Sequence, residues 1–119
     1  MEMETRLSQQ IDRYLDLATS QIKLTTANMA NIDTPGYRAV GMDFDAEMRA
    51  AMSGVDHAQP PAQVRVSQVD GLIARPDGND VSMDRESLNL AEAQLKFKVG
   101  VALLRGENQT LNDAIHVDK

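Results

Sequence analysis

Few residues in this chain are of types that do chemistry, and their spacing argues against most of what they could do. His57 and His116 are the two histidines, far apart and in no His-x-x-x-His or comparable ligand spacing, so no metal site is expected from them. Cysteine is absent, which removes disulfides, thiolate nucleophiles and Cys-based zinc sites together. Asp43, Asp45 and Glu47 alternate along one stretch with no base or nucleophile nearby, the pattern of a solvated acidic face. Asp70-Gly71 and Asp77-Gly78-Asn79-Asp80 lack the spaced ligand series and terminal Glu of a calcium loop and read as turns. No glycine-rich phosphate cradle and no Gly-x-Ser-x-Gly elbow occurs. The expectation is a protein with no catalytic residues, no metal and no cofactor: not an enzyme.

One constellation carries conformational chemistry instead. In Asn28-Met29-Ala30-Asn31-Ile32-Asp33-Thr34-Pro35-Gly36-Tyr37, two asparagines three apart share a helix face. Thr34 precedes a proline and is pushed out of the α region, and Pro35-Gly36 suits the two central positions of a type II turn, the second of which needs positive φ. A helix must stop here and the chain must turn sharply. Asn28 and Asn31 can satisfy the backbone groups left open, and Tyr37 can fold back as an apolar cover with a polar tip.

The elements that position this turn are helical. From about residue 4 to 32, Ile11, Leu15, Ala18, Ile22, Thr25, Met29 and Ile32 recur at alternating spacings of four and three, a heptad seam on a helix about 43 Å long. Leu17 and Leu24 fall on a second face, so the helix asks for more than one neighbour. From about 82 to 116 the pattern repeats with Leu90, Gln94, Phe97, Val101, Leu104, Asn108, Leu111 and Ile115, and a second stripe of Leu88, Ala91, Leu95, Val99 and Ala102 runs beside it. Ser82 suits the N-cap, with Asp84 and Glu86 in the first turn. Gly100, costly inside a helix, is expected where another backbone comes close.

Between the helices, Ala58–Ala62 reads as an extended linker and Gln63–Val69 as a short strand. Asp70-Gly71 makes a hairpin turn back to Leu72–Arg75, and Met42–Met52 can form a short helix. The expected fold is mainly α: two long terminal helices paired as an antiparallel coiled-coil-like hairpin, with a short irregular or β-hairpin middle. It spans 1–119 as one domain, divided as 4–32, 33–81 and 82–116.

Composition agrees. Two Phe, two Tyr and no Trp in 119 residues leave little with which to fill a large private core, and a net charge of −6 with scattered acids offers no basic stripe for nucleic acid. No run approaches the roughly 18 apolar residues of a membrane span. The N-terminus has no apolar segment after its first residues, so any export is expected to proceed without a cleaved signal.

Ala27 to Tyr37, read as Ala-Asn-x-Ala-Asn-x-x-Thr-Pro-Gly-Tyr after a heptad helix, resembles the signature shared by axial rod and hook proteins of the bacterial flagellum. Met42-Asp43-Phe44 and Asn79–Glu86 resemble the proximal-rod, FlgB-type branch of that family, and the likeness continues through Ala93–Phe97 and Leu111–Ile115. Ser82 stands where Asp is commoner, and Lys96-Phe97 where Arg-Tyr or Gln-Tyr is. The resemblance implies a structural component of the proximal rod, assembling helically with copies of itself into a torque-transmitting, channel-containing shaft across the periplasm. It further implies a FliE-type adapter and the export gate and MS ring at the base, a FlgC-type rod protein above, and type III flagellar export. The turn residues Asn28, Asn31, Thr34, Pro35, Gly36 and Tyr37 are its implied signature. Helix and subunit packing is expected at Ile11, Leu15, Ala18, Ile22, Met29, Ile32, Leu90, Phe97, Val101, Leu104, Leu111 and Ile115. Another axial protein such as FlgC, or a soluble helical-hairpin adaptor or chaperone, is the alternative.

Overall fold

The computed structural model describes residues 2–53 and 64–116; His57, the Ala58–Ala62 linker and Gln63 lie outside them. In chain order the elements are α1 (Glu2–Ala30), β1 (Val40–Gly41), α2 (Phe44–Ser53), β2 (Ser67–Gln68) and α3 (Met83–His116). The molecule is elongated, 69 × 27 × 18 Å, because helices of 29 and 34 residues span about 43 and 51 Å at ~1.5 Å per residue.

The two long helices pair antiparallel. Gly100 of α3 lies against Tyr14 and Leu15 of α1, while the earlier residue Lys96 reaches the later residue Gln21, Nζ to Oε1 at 3.4 Å. A Cβ at Gly100 would stand 2.5 Å from Leu15 Cδ2, so the glycine is what lets the helices approach this closely. Ala93 is fully buried two turns earlier for the same reason. Gly106 has open space around it.

A small apolar core forms where α2 crosses α1: Leu17, Ala18 and Phe44 are buried, with Tyr14, Met42, Met48 and Val64 packed around them. The Tyr14 and Phe44 rings meet edge to face, centroids 5.3 Å apart and planes at 85°, a favoured geometry for aromatic quadrupoles. Lys96 places its ammonium 4.0 Å from the Phe44 ring centre, so α3 joins the same cluster by a cation–π contact. Burial raises the Tyr14 hydroxyl above its ordinary pKa. Leu17, off the heptad seam, is thus the central residue of the second face.

Asp43 caps α2, accepting from the Ala46 amide at 3.0 Å. Glu47 departs from the expected solvated acidic face: it is buried, and its Oε1 accepts from both the backbone N–H (3.3 Å) and Nε (3.0 Å) of Arg65. A buried carboxylate needs such a partner, and the arginine comes from the segment after the linker, invisible to local spacing.

The expected hairpin is also corrected. Ser67–Gln68 does form a strand, but it pairs antiparallel with β1, Val40 opposite Gln68 and Gly41 opposite Ser67, not with Leu72–Arg75. An isolated hairpin is marginal in water, whereas β1 is already anchored to α1 through Asn28, and Arg75 reaches across to the turn after that helix. The first helix ends at Ala30, so Ile32 lies in the turn.

Candidate functional site

Among the described residues, polar side chains from several segments gather at the end of α1. A helix leaves its last carbonyls without intrahelical partners; here the Asn31 and Ile32 amides of the following turn meet those of Ala27, Asn28 and Met29, and side chains from a distant segment bind the carbonyls of that turn. Asn79, fully buried, donates from Nδ2 to the Asn31 carbonyl (2.8 Å) and the Thr34 carbonyl (2.8 Å). Its Oδ1 accepts from the Val81 amide at 2.8 Å. The Arg75 guanidinium donates to the Ile32 carbonyl and brings positive charge to the negative end of the helix dipole.

Asn28 faces the other way and fixes the exit. Its Nδ2 donates to the Val40 carbonyl at 2.8 Å, and its Oδ1 accepts from the Val40 amide at 3.0 Å and the Tyr37 hydroxyl at 3.1 Å. The side chain therefore imitates a neighbouring strand for β1 and holds Tyr37 folded back. Asn31 binds locally, donating to the Ala27 carbonyl at 2.8 Å and accepting from the Thr34 hydroxyl at 3.0 Å.

Pro35 and Gly36 form the expected turn: Gly36 has φ of 77°, and the Tyr37 amide donates to the Thr34 carbonyl at 3.2 Å. The Gly36 amide donates to the Asp77 carbonyl at 2.8 Å, and Gly78 backs onto Gly36 so closely that a Cβ there would lie 3.4 Å from Gly36 Cα. Two tight turns, 48 residues apart in their Asn31 to Asn79 link, are thereby stacked.

Asp80 completes the lock. Its Oδ1 accepts from the Ala39 amide at 2.6 Å and its Oδ2 from Arg38 Nε at 3.0 Å. Ser82 then starts α3, its hydroxyl 3.4 Å from the Arg85 amide. Glu86 in the first turn is buried, with Oε1 on Arg85 Nη1 at 2.9 Å, while Oε2 has no hydrogen-bond partner among the described residues. Sequence spacing presents Asn79, Asp80 and Glu86 as turn and cap residues; their burial as anchors depends on contacts that no local pattern announces.

The structure brings Asn28, Asn31, Thr34, Pro35, Gly36 and Tyr37 into this one cluster. Along the helices Ile11 and Ala18 are buried, and Leu15, Ile22, Met29, Leu90, Val101 and Leu104 are half-buried, as is Ile32 in the turn. Phe97 is 39% exposed and Ile115 66%; the Leu111 side chain lies outside what is described. The line of closest approach on α3 runs through Glu86, Ala93 and Gly100, beside the heptad line rather than down it. Among the described residues no group of His, Asp or Glu is arranged to hold a metal, and no helix is long and apolar enough to cross a membrane.

Most polar interactions in this site hold backbone in place, which defines a structural two-helix scaffold. No family model matches the chain. Among curated proteins it is similar to the flagellar basal body rod protein FlgB of Salmonella typhimurium, 35% identical over 76% of this chain and 78% of that protein. The same-named protein of Cereibacter sphaeroides is 32% identical over 85% and 87%, and that of Escherichia coli 27% over 78% and 80%. The chain belongs to the FlgB family of flagellar basal body rod proteins.

Proposed function

We propose that the chain is a structural subunit of the proximal rod of the flagellar basal body, a non-enzymatic part of the drive shaft for motility. The observation that carries this reading is the buried lock of Asn28, Asn79 and Asp80 around the Pro35-Gly36 turn, in a chain of the FlgB family. It fixes the angle at which the paired helices meet the remainder of the subunit, which is what a torque-bearing element requires. One rod-protein domain over 1–119 is organised for this purpose, with the helices at its two ends and the turn region as the outer wall.

In this reading, copies pack side by side in a helical array around a central channel. The base contacts a FliE-type adapter, the export gate and the MS ring, and a FlgC-type rod protein continues the shaft. The subunit reaches its place across the periplasm by flagellar type III export. A head-to-tail interface that does not close produces such an array. Mass spectrometry of hook–basal bodies purified from the source bacterium tests the reading. Recovery of the chain with the rod is expected; consistent absence, with the chain found as a discrete soluble dimer, would overturn it.

A further inference from the structure

We propose that copies meet through the solvent-facing side of α3, which docks on the solvent-facing side of α1 of a second copy lying alongside at the same height; this rests on the rod reading and adds the surface that joins the copies. Leu88, Ala91, Leu95, Val99 and Ala102 are all exposed, Leu88 at 62% and Leu95 at 63%. Leu88, Leu95 and Ala102 each stand two residues beyond one that faces α1 (Glu86, Ala93 and Gly100), about 200° round the helix. They therefore form one apolar stripe on the far side from α1, of the kind that marks an interaction surface.

The occupant follows from shape and charge. The outward side of α1 carries Gln9, Arg13, Asp16, Ser20, Lys23 and Ala27, polar or small side chains without an apolar ridge of their own, on which a ridge of leucines can seat. Lys98 and Arg105 flank the α3 stripe, and both are exposed. Lys96 points at Phe44 of α2, so Lys98, about 200° further round, lies on the lip away from α2. Tyr14 also meets Phe44, and Asp12 and Asp16, two residues to either side, lie across α1 from it on the same lip. Two hairpins side by side thus bring a basic pair to an acidic pair.

Register agrees. Within the chain Gly100 lies opposite Leu15. The same register, carried to a neighbour at equal height, sets Leu88 against Ala27, Leu95 against Ser20, Lys98 beside Asp16 and Arg105 within a turn of Asp12. The two surfaces differ, so each copy offers one and accepts on the other, and the contact repeats without closing on a dimer.

The chain has no cysteine, so Ala27→Cys with Leu88→Cys introduces the only two thiols, on opposite outer faces of one molecule. Both positions are exposed, and disulfide formation needs Cα atoms within about 7 Å. Oxidation of purified basal bodies, and separately of the concentrated full chain, is expected to give a ladder of dimers, trimers and larger species, and either single variant none. Lys98→Glu with Arg105→Glu should cause loss of the ladder, Asp12→Lys with Asp16→Lys likewise, and all four together should restore it. Monomer alone from basal bodies that contain the chain would overturn this surface and leave the rod reading standing, as would dimers from Leu88→Cys alone. Absence from basal bodies would overturn the rod reading, and the ladder from the purified chain would then decide the surface by itself.

Discussion

Replacing Asn79 by aspartate changes one atom type at a fully enclosed polar residue. Asn79 is fully buried, and its Nδ2 serves two carbonyls, those of Asn31 and Thr34, each at 2.8 Å. Aspartate keeps the acceptor for the Val81 amide but has no donor when ionised. Two buried carbonyls lose their partner at about 1.5 kcal/mol each. A negative charge then faces the negative end of α1, adding about 1 kcal/mol. The expected loss at neutral pH is about 4 kcal/mol, or roughly 15 °C in Tm at ~4 °C per kcal/mol for a chain of this size. Asn79→Ala removes the donors and the acceptor without the charge and should cost about 3 kcal/mol.

The pH dependence separates these contributions. In the folded Asn79→Asp variant, burial and the two carbonyls hold the new carboxyl above its unfolded value of about 3.9. The folded state therefore binds the proton more tightly than the unfolded state. The deficit is full above the folded pKa and shrinks as pH falls through it, because the protonated acid regains one donor. Urea unfolding of wild type, Asn79→Asp and Asn79→Ala, followed by far-UV circular dichroism at pH 7 and near pH 4, measures this. An aspartate variant no less stable than the alanine variant at pH 7, or a deficit that does not narrow on acidification, would refute the assignment of Asn79 as the residue that holds the turn after α1.

Three further substitutions test the neighbouring arguments. Gly36→Ala meets no steric obstacle, so its cost is that of a side chain at φ of 77°, about 1–2 kcal/mol, read as a lower urea midpoint with unchanged slope. Gly100→Ala gains about 1 kcal/mol of helix propensity. It also crowds Leu15 and Tyr14, with two contacts near 3.1 Å besides the closest one, at about 1–3 kcal/mol; a net loss of about 1 kcal/mol is expected, and a gain would mean that Leu15 moves aside freely. Leu17→Ala empties the centre of the α1–α2 core and should cost about 2–5 kcal/mol, with near-UV signals of Tyr14 reporting the loss of its packing against Phe44.

What can be read from the sequence is local. Asn28 and Asn31 on one helix face, Thr34 before Pro35, and Gly36 at the position needing positive φ are constraints within one turn of each other, and they hold the chain to one conformation there. The Ser82 cap and the close approach at Gly100 are of the same kind, one residue type with one physical reason. The pairing of β2 is not legible in this way, because Asp70-Gly71 offers a good turn with nothing to anchor it, while β1 gains its stability from Asn28, twelve positions away. Glu47 and Asn79 are hidden for the same reason, since their burial depends on Arg65 and on the end of α1.

The two apolar stripes of α3 show where periodicity stops being informative. Both repeat at four-three spacing, and both carry leucines, so spacing cannot rank them. Neither is the line nearest α1, which runs beside the first through smaller residues. Ala93 and Gly100 let the backbone of α3 approach α1, and a helix turns its smallest residues toward the neighbour it must touch most closely. Leu88 and Leu95 are thereby turned outward. Beside the α1–α2 cluster of Leu17, Ala18 and Phe44, these exposed leucines are the surface that the proposed contact between copies covers.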